Sequence, residues 1–153
     1  MTSARIAFGL GEHEDAARAL LRSEWPLAEL PSCVNEPRFW TMTCPSFNGL
    51  AGFAVLANGF KGAQAADDPR PYHPVLEYLV VDPRVRDRHL GRQLARHVLQ
   101  EACTDADEVM VEVERERVGA ARFWTEHLQC TVMPDSDQTA SKVMRLCWSP
   151  AGA

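Results

Sequence analysis

The order of apolar and polar residues along the chain changes between two periods, one typical of strands and one typical of helices. Strands are predicted where apolar residues alternate with polar ones or form short runs, and helices where they recur every three or four positions. The predicted strands are Ala4 to Leu10, Arg38 to Pro45, Leu50 to Ala57, Val75 to Val81, Asp107 to Glu114 and Ala140 to Trp148. The predicted helices run from Glu12 to about Trp25, from Leu90 to Ala102 and from Arg117 to Leu128.

The periodicity also predicts which side chains face the core. On the first helix the expected buried face is Ala16, Ala19, Leu20 and Ser23. On the second helix it is Leu90, Leu94 and Val98 with either Leu99 or Ala102. On the fifth strand, Val109, Val111 and Val113 share one face, whereas Met110, Glu112 and Glu114 share the other.

The connections between these elements predict how the strands pair. Asn48 and Gly49 stand between two β-rich runs and predict a hairpin, so strands two and three are expected to be antiparallel neighbours. The fourth strand is nearly all apolar, which favours a central position. A helical crossover joins it to the fifth strand and implies that these two run parallel. We therefore predict a single α/β domain over residues 1–153, with a mixed, mostly antiparallel sheet, one parallel pair at strands four and five, and flanking helices.

Charge and cysteine content narrow the classes of function. The 153 residues carry a net charge of −5, whereas nucleic-acid binding rewards an excess of Lys and Arg, so no nucleic-acid partner is expected. Any anion site must therefore be local. The 5 cysteines are odd in number and widely spaced, and neither they nor the histidines show metal-ligand spacing. We expect reduced thiols and no metal.

The ends and apolar runs of the chain give no sign of a membrane partner. The N-terminal segment lacks the basic region and apolar stretch of a signal peptide, and no run of 18 apolar residues is present. A cytoplasmic location is expected. Whether the protein is a monomer or a homodimer stays open.

The junction after the fourth strand, "VVDPRVRDRHLGRQLARHVL" at residues 80–99, carries the most chemistry. A helix that begins near Leu90 presents backbone N–H groups and the positive end of its dipole to whatever lies before it. Arg86, Arg88 and Arg92 add positive charge there. Such a junction suits a phosphate group. The alternative interpretation is a solvated basic turn on a surface helix.

The same junction resembles the acetyl-CoA-binding segment of the GNAT superfamily of N-acetyltransferases, whose usual form is V-x-P-x-x-R/Q-x-x-G-x-G/A. Val81, Pro83, Arg86 and Gly91 match this form in register. His89 replaces the first glycine, and a side chain at this position is expected to require a backbone angle compatible with a Cβ.

A second stretch, "VEVERERVGAARFW", is similar to the "LEVRxxNxxAxxLY" segment of ribosomal-protein-type members of that superfamily. Glu112, Ala120 and Phe123 match it. Arg117 stands where asparagine is common, and Trp124 stands where the catalytic tyrosine usually lies. The two stretches together cover about Val75 to Cys130, and the rest of the chain agrees only in the order of its elements.

The resemblance implies a GNAT-like fold, with strands four and five splayed apart, and acetyl-CoA as co-substrate. It implies that the peptide groups of strand four pair with the pantetheine arm and that the turn and helix start hold the diphosphate. The residues assigned to co-substrate binding are Leu79, Val80, Val81, Arg86, Asp87, Arg88, His89, Leu90, Gly91, Arg92, Arg117 and Trp124.

Transfer of an acetyl group to an amine requires a base, because a lysine-like amine with a pKa near 10.4 is mostly protonated in water. Glu77 on strand four and Glu112 on strand five are the candidates, and desolvation in an apolar sheet would improve either as a base. Both could equally be structural carboxylates paired with arginines. Trp124 cannot release its N–H proton, so Tyr78, Tyr72 and His127 are the possible substitutes as a general acid.

The acceptor should be set by the loops at residues 26–38 and 58–74. Their carboxylates, Glu29, Glu36, Asp67 and Asp68, favour a cationic amine, either a small molecule or a peptide N-terminus. Two other classes stay open. One is an acyl-CoA-binding regulatory module that has lost turnover, and the other is a small α/β domain whose arginine turn binds another phosphate or a partner.

Overall fold

The computed structural model describes residues 4–30, 37–58, 74–86, 89–104, 106–114, 116–133 and 143–150. Within these ranges the chain forms seven strands: β1 (Arg5–Phe8), β2 (Arg38–Cys44), β3 (Phe47–Asn58), β4 (Pro74–Val81), β5 (Val109–Glu114), β6 (Thr131–Val132) and β7 (Val143–Trp148). The helices are α1 (Glu14–Glu24), α2 (Leu90–Ala102) and α3 (Val118–Arg122). Single 3-10 turns at Gly11–His13 and Pro83–Val85 precede α1 and α2, and a π-helical turn at Phe123–His127 extends α3.

All seven strands belong to one mixed sheet in the order β1-β2-β3-β4-β5-β7-β6. Every neighbouring pair is antiparallel except β4 and β5, which run parallel. The predicted α/β class, the parallel pair and the central position of β4 are therefore confirmed. The connection from β4 to β5 passes through α2. Such a crossover brings the chain back to the end of the sheet where β4 began, so β5 runs parallel to β4.

Helices cover the sheet on both faces, and their apolar stripes build two cores. The larger core lies under α2, which buries Leu90, Leu94 and Val98 as predicted. Both Leu99 and Ala102 are buried as well, together with Ala95, which was not predicted. Val109, Val111 and Val113 of β5 contribute to the same core, as predicted from their alternation. The smaller core packs α1 against Phe53, Val55 and Val80 on the other face.

The predicted buried face of α1 is wrong except at Leu20. The buried face of α1 is Ala17, Leu20 and Leu21, and Ala16, Ala19 and Ser23 are exposed. The reason is that the helix begins at Glu14 after a 3-10 turn, and alanine and serine fit an exposed helix face as well as a buried one.

The β2–β3 hairpin is confirmed, but its turn is at Pro45 and Ser46 rather than at Asn48 and Gly49. Proline presets the backbone angle of a turn, so the chain reverses there first. Asn48 and Gly49 lie inside β3, where the pairing steps from Cys44↔Phe47 to Thr43↔Leu50. Gly49 lies at this irregularity with a φ of 110°, a backbone angle that glycine adopts readily because it has no Cβ.

Among the helices of the described ranges, none has the length and apolar content that a membrane span needs.

One close approach in the sheet requires a glycine. Gly52 of β3 lies beside β4, and a Cβ placed there would stand 2.7 Å from the carbonyl oxygen of Val80 and 3.2 Å from Cε of Met42. The first distance is to a backbone atom of β4, which cannot move unless the whole strand shifts. The sheet at this point therefore has no room for a side chain.

We predict that Gly52→Ala lowers the free energy of unfolding by about 1–3 kcal/mol, because the added methyl overpacks the β3–β4 contact. Urea unfolding followed by circular dichroism measures the change. Gly119→Ala is the control, since a Cβ at Gly119 meets nothing within 4 Å and alanine favours the helix. Equal stabilities for the Gly52 variant and the unmodified protein would contradict the predicted contact.

Candidate functional site

The parallel strands β4 and β5 stay paired over a very short distance. Their ladder consists of Val75 with Met110 and Leu76 with Val111. Beyond these pairs both strands border a cleft of about 1160 Å³, which exceeds the roughly 300–1,000 Å³ usual for small-molecule pockets. The cleft therefore has room for a long ligand or for two ligands together.

Four parts of the chain line this cleft: the end of α1 with its following turn, the second half of β4, the start of α2, and β5 with α3. The lining residues used below are Glu24, Trp25, Leu27, Glu77, Tyr78, Leu79, Val80, Val81, Arg86, His89, Leu90, Gly91, Arg92, Glu112, Glu114, Arg117, Phe123, Trp124 and His127. They include every residue assigned above as a base, a general acid or a co-substrate contact, except Tyr72, Asp87 and Arg88, which lie outside the described residues. Of the carboxylates predicted for the acceptor, Glu36, Asp67 and Asp68 also lie outside the described residues, and Glu29 does not line the cleft.

A β-bulge in β4 shapes the wall that carries Glu77. Tyr78 pairs with Val55 and Leu76 pairs with Leu56, so Glu77 is an extra residue opposite β3. Bulges change the direction of the following side chains. As a result Leu76 and Leu79 pack in the larger core, Tyr78 packs in the smaller one, and Glu77 and Tyr78 both border the cleft.

Asp82 fixes the turn that leaves β4. Its backbone N–H donates to the carbonyl of Ala51 at 2.8 Å, and its carboxylate accepts from the backbone N–H of Arg84 at 2.9 Å. The Arg84 guanidinium also donates to the same carboxylate, at 3.0 and 2.8 Å, and this hydrogen bonding lowers the pKa of the buried Asp82. Val85, at the end of the turn, is buried in the larger core. The start of α2 is thereby held against the end of β4.

His89 precedes α2 with φ 58° and ψ 18°, which is the left-handed conformation. The expectation of a backbone angle comfortable for a Cβ is therefore wrong. The chain keeps the conformation that glycine favours and places a histidine in it. Histidine is among the residues enriched in this region, although the conformation costs an L-residue about 1–2 kcal/mol. The side chain is exposed and borders the cleft.

The first turn of α2 presents backbone donors to the cleft. The first hydrogen bond of the helix runs from the N–H of Gln93 to the carbonyl of His89, at 3.2 Å. By helix geometry, the N–H groups of Leu90, Gly91 and Arg92 precede that bond and have no acceptor within the helix. The Arg92 guanidinium lies 2.6 Å from Nδ1 of His127, which accepts from it. Backbone N–H groups at a helix start and a guanidinium beside them suit an anion, and these groups lie at the end of the cleft next to α2.

Arg86 points across the cleft. Its Nε donates to the carbonyl of Val81 at 3.1 Å, and its Nη2 donates to Oε1 of Glu24. Two of the five N–H donors of this guanidinium are thereby taken by the protein.

Arg117 lies at the start of α3 and also contacts Glu24. Its guanidinium donates to the Glu24 carbonyl at 3.0 Å and lies 3.4 Å from Oε2 of the Glu24 carboxylate. It stands 4.5 Å above the ring of Trp25 and 3.5 Å from the carboxylate of Glu114. Arg117 therefore connects α1 to β5.

The cleft holds the two candidate bases on opposite walls. Glu77 stands on the β4 bulge, and Glu112 stands on β5 with 17% of its side chain exposed. The Arg145 guanidinium lies 3.9 Å from the Glu112 carboxylate. The position of Glu114 at a strand end predicts a solvated side chain. Instead, the Trp25 indole donates to the Glu114 carboxylate at 2.7 Å.

Trp124 and Tyr78 form different parts of the cleft wall. Trp124 is buried, stands edge-on to Phe123 at 5.0 Å, and forms part of the cleft wall next to α2. Tyr78 packs against Trp25 with ring centroids 5.4 Å apart. Trp25 and Tyr78 thus form the wall at the α1 end of the cleft.

Glu24 and Trp25 were not among the predicted site residues. A signal was present in the sequence, since an acidic residue in the last turn of a helix opposes the macrodipole and needs compensation. The compensating arginines are 62 and 93 positions away in sequence, which no local pattern reveals.

The described cysteines lie away from this chemistry. Cys44, Cys103, Cys130 and Cys147 form no disulfide, and none of them lines the cleft. Burial raises the pKa of Cys130 to about 12, and burial with the nearby Glu108 carboxylate raises that of Cys147 to about 12. Both stay protonated at neutral pH and are poor nucleophiles.

Comparisons with known proteins agree with this geometry. The model of the acetyltransferase (GNAT) family matches residues 10–128. A GNAT-family protein from Desulfovibrio desulfuricans superimposes with a TM-score of 0.68 at 13% identity, over 96% of this chain and 99% of that one. Arabidopsis thaliana NAA60 in complex with acetyl-CoA gives 0.73 at 11% identity, over 98% and 100%. The aminoglycoside N-acetyltransferase AAC(6')-Iy in complex with CoA gives 0.64 at 15% identity, over 82% and 86%. No curated protein sequence matches the chain.

We predict that Asp82→Ala lowers the free energy of unfolding by about 1 kcal/mol at pH 7, because the turn loses the acceptor for its N–H group. The folded pKa of Asp82 is lower than its ordinary value of 3.8, so its ionised form adds stability above that value. The difference between variant and unmodified protein should shrink as the pH falls through the folded pKa. Urea unfolding at pH 7 and at pH 3 tests this, with the exposed Asp107→Ala as control.

We also predict that two substitutions of His89 affect the free energy of unfolding differently. His89→Val should lower the free energy of unfolding by about 1–2 kcal/mol, because a β-branched residue is strained in the left-handed region. His89→Gly should leave stability equal or higher. Thermal unfolding compares both with Gln93→Val, which places the same side chain on an exposed helical position at a cost below about 1 kcal/mol. A His89→Val variant no less stable than Gln93→Val would show that residue 89 is not held at positive φ.

Proposed function

Because this chain belongs to the acetyltransferase (GNAT) family, we propose that it transfers the acetyl group of acetyl-CoA to a primary amine of a small molecule or a peptide. The observation that carries the proposal is the cleft between the separated ends of β4 and β5, which runs from the start of α2 to two strand-borne glutamates. A long thioester and an amine can meet in such a cleft from opposite ends.

The residues at the α2 end fit the diphosphate of coenzyme A. Three N–H groups of the first helical turn and the guanidinium of Arg92 are donors for phosphate oxygens. Gly91 lies close to Val81 and Phe123, where a Cβ would make only ordinary contacts at 3.5 and 3.9 Å. That position therefore accepts glycine or alanine, as the related motif does.

The second half of β4 fits the pantetheine arm. Leu79, Val80 and Val81 border the cleft past the last β4–β5 pair, so the strand edge there faces the opening instead of β5. Peptide N–H and C=O groups of such an edge can pair with the amides of the arm, and an N–H can stabilise negative charge on the thioester oxygen.

The reaction we propose is direct attack. Glu77 or Glu112 takes a proton from the ammonium form of the acceptor, and the amine nitrogen then bonds to the thioester carbon. In the tetrahedral intermediate the nitrogen is positively charged, and it gives up a proton as the C–S bond breaks. This proton replaces the one taken up by the departing coenzyme A thiolate. The neutral amide is then released, and the glutamate returns its proton to solvent. Among the described cysteines none lines the cleft, which supports direct attack over an acetyl-cysteine intermediate.

Tyr78 is the residue we assign to protonating the leaving thiolate. Its phenol borders the cleft beside Glu77 and can donate and recover a proton. The Trp124 indole is a hydrogen-bond donor only, so we assign it to the wall that excludes water from the thioester.

Two complexes support the choice of co-substrate and acceptor class. NAA60 has been solved with acetyl-CoA and AAC(6')-Iy with CoA, and the second is named for acetylation of aminoglycosides. Amines of small molecules and of peptides are therefore both included in the panel below.

The first test is calorimetric titration with acetyl-CoA, followed by thiol release across amines that include amino sugars, polyamines and free peptide N-termini. Binding with release supports the enzyme. Binding without release for any amine would favour an acyl-CoA-binding module, a possibility that the tryptophan at position 124 raises. No binding at millimolar acetyl-CoA would contradict both.

We predict that replacement of the true base, by Glu77→Gln or Glu112→Gln, lowers kcat about 100-fold or more at pH 7 while acetyl-CoA still binds. The base form of the glutamate is lost, whereas the shape of the cleft stays. Glu101→Gln, on the exposed face of α2, is the control and should leave the rate unchanged. Full rates in both cleft variants would remove both glutamates from the mechanism.

A further inference from the structure

Glu24 joins the two sides of the cleft. Its Oε1 accepts from Arg86, which follows β4, while its Oε2 lies 3.4 Å from Arg117, which follows β5. The C-terminal ends of two parallel strands lie at the same end of a sheet, and β4 and β5 separate toward this end. The carboxylate therefore spans the open end of the cleft.

The position of Glu24 is unfavourable for the helix taken by itself. It is the last residue of α1, where the macrodipole is negative and a carboxylate is repelled. Two guanidinium groups offset this repulsion, and 21% of the Glu24 side chain remains exposed. The contacts with Arg86 and Arg117, and not helix stability, account for a glutamate at this position.

We infer that Glu24 is a positioning residue for both substrates, and this inference rests on the proposed function. On the β4 side, contacts to Glu24 and to the Val81 carbonyl fix the plane of the Arg86 guanidinium. Its other N–H donors are then held in one direction for an anion of the co-substrate.

On the β5 side, Glu24 holds the wall that faces the acceptor. Its carbonyl and carboxylate keep Arg117 over the Trp25 ring, at 4.5 Å. Trp25 in turn packs on Tyr78 and donates to Glu114. Loss of the Glu24 charge should therefore loosen the co-substrate arginine and the acceptor wall together.

The experiment compares Glu24→Gln, Glu24→Asp, Arg86→Gln and the double variant Glu24→Gln/Arg86→Gln in steady-state kinetics. For Glu24→Gln we expect the KM for acetyl-CoA to rise about five- to tenfold, with a rise in acceptor KM, because a charge-assisted contact at a partly exposed site is lost. The pH profile of kcat should not move, since Glu24 is not the base. Glu24→Asp keeps the charge and should recover part of the loss.

The double variant should raise the KM for acetyl-CoA no further than Arg86→Gln does alone, because Glu24 acts through Arg86. Glu14→Gln is the matched control. It removes an exposed carboxylate of the same helix, paired with Arg18 at 3.2 Å, and should change neither KM. Unchanged KM values in Glu24→Gln, or multiplicative effects in the double variant, would overturn the inference.

Calorimetric titration with coenzyme A separates this inference from the proposed function. If the unmodified protein binds coenzyme A but acetylates no amine, the same variants are compared by Kd. A weaker Kd in Glu24→Gln, absent in Glu14→Gln, then still supports the role of Glu24. An equal Kd in both variants would overturn it while leaving the binding site established. If the unmodified protein does not bind coenzyme A, the proposed function and the inference both fail.

Discussion

The short ladder between β4 and β5 is the constraint on which the site depends. After Val75 and Leu76 the two strands separate, although backbone groups in a sheet ordinarily stay paired. The separation is maintained from three directions: the bulge at Glu77 redirects β4, the start of α2 is pinned by Asp82 and Val85, and Glu24 holds the arginines that follow both strands. A strand edge inside the domain thereby borders the cleft instead of pairing with another strand.

A net charge of −5 is compatible with an anion site because the site does not depend on net charge. Arg86 and Arg117 are balanced by Glu24 and Glu114, so this network is close to neutral. Under the proposed function, the donors for a diphosphate are the N–H groups at the start of α2 and the Arg92 guanidinium, and Arg86 adds the N–H groups that do not donate to Glu24 or Val81. The field of the helix end acts only within the first helical turn.

The sequence predicts those parts of the molecule that local patterns determine. The bounds of α2 and the faces of β5 follow from periodicity, and the parallel pair follows from the helical crossover that joins β4 to β5. The buried face of α1 could not be predicted, since alanine fits either face. The Glu77 bulge depends on register against β3, and the contacts of Glu24 join residues far apart in sequence. Long-range contacts of this kind leave no periodic signal.

The replacement of a tyrosine by Trp124 and the presence of several carboxylates in the cleft have one chemical explanation. A lysine-like ammonium with a pKa near 10.4 must lose a proton before it can attack, whereas a thiol with a pKa near 8.5 leaves readily as the thiolate. The rate therefore depends more on a base than on an acid. Of the four cleft glutamates, Glu24 and Glu114 already accept from arginine or indole groups within hydrogen-bonding distance. Glu77 and Glu112 border the opening from opposite strands, and Glu112 also lies 3.9 Å from the Arg145 guanidinium. Under the proposed mechanism one of these two is the base, the group on which the rate of acetyl transfer depends most.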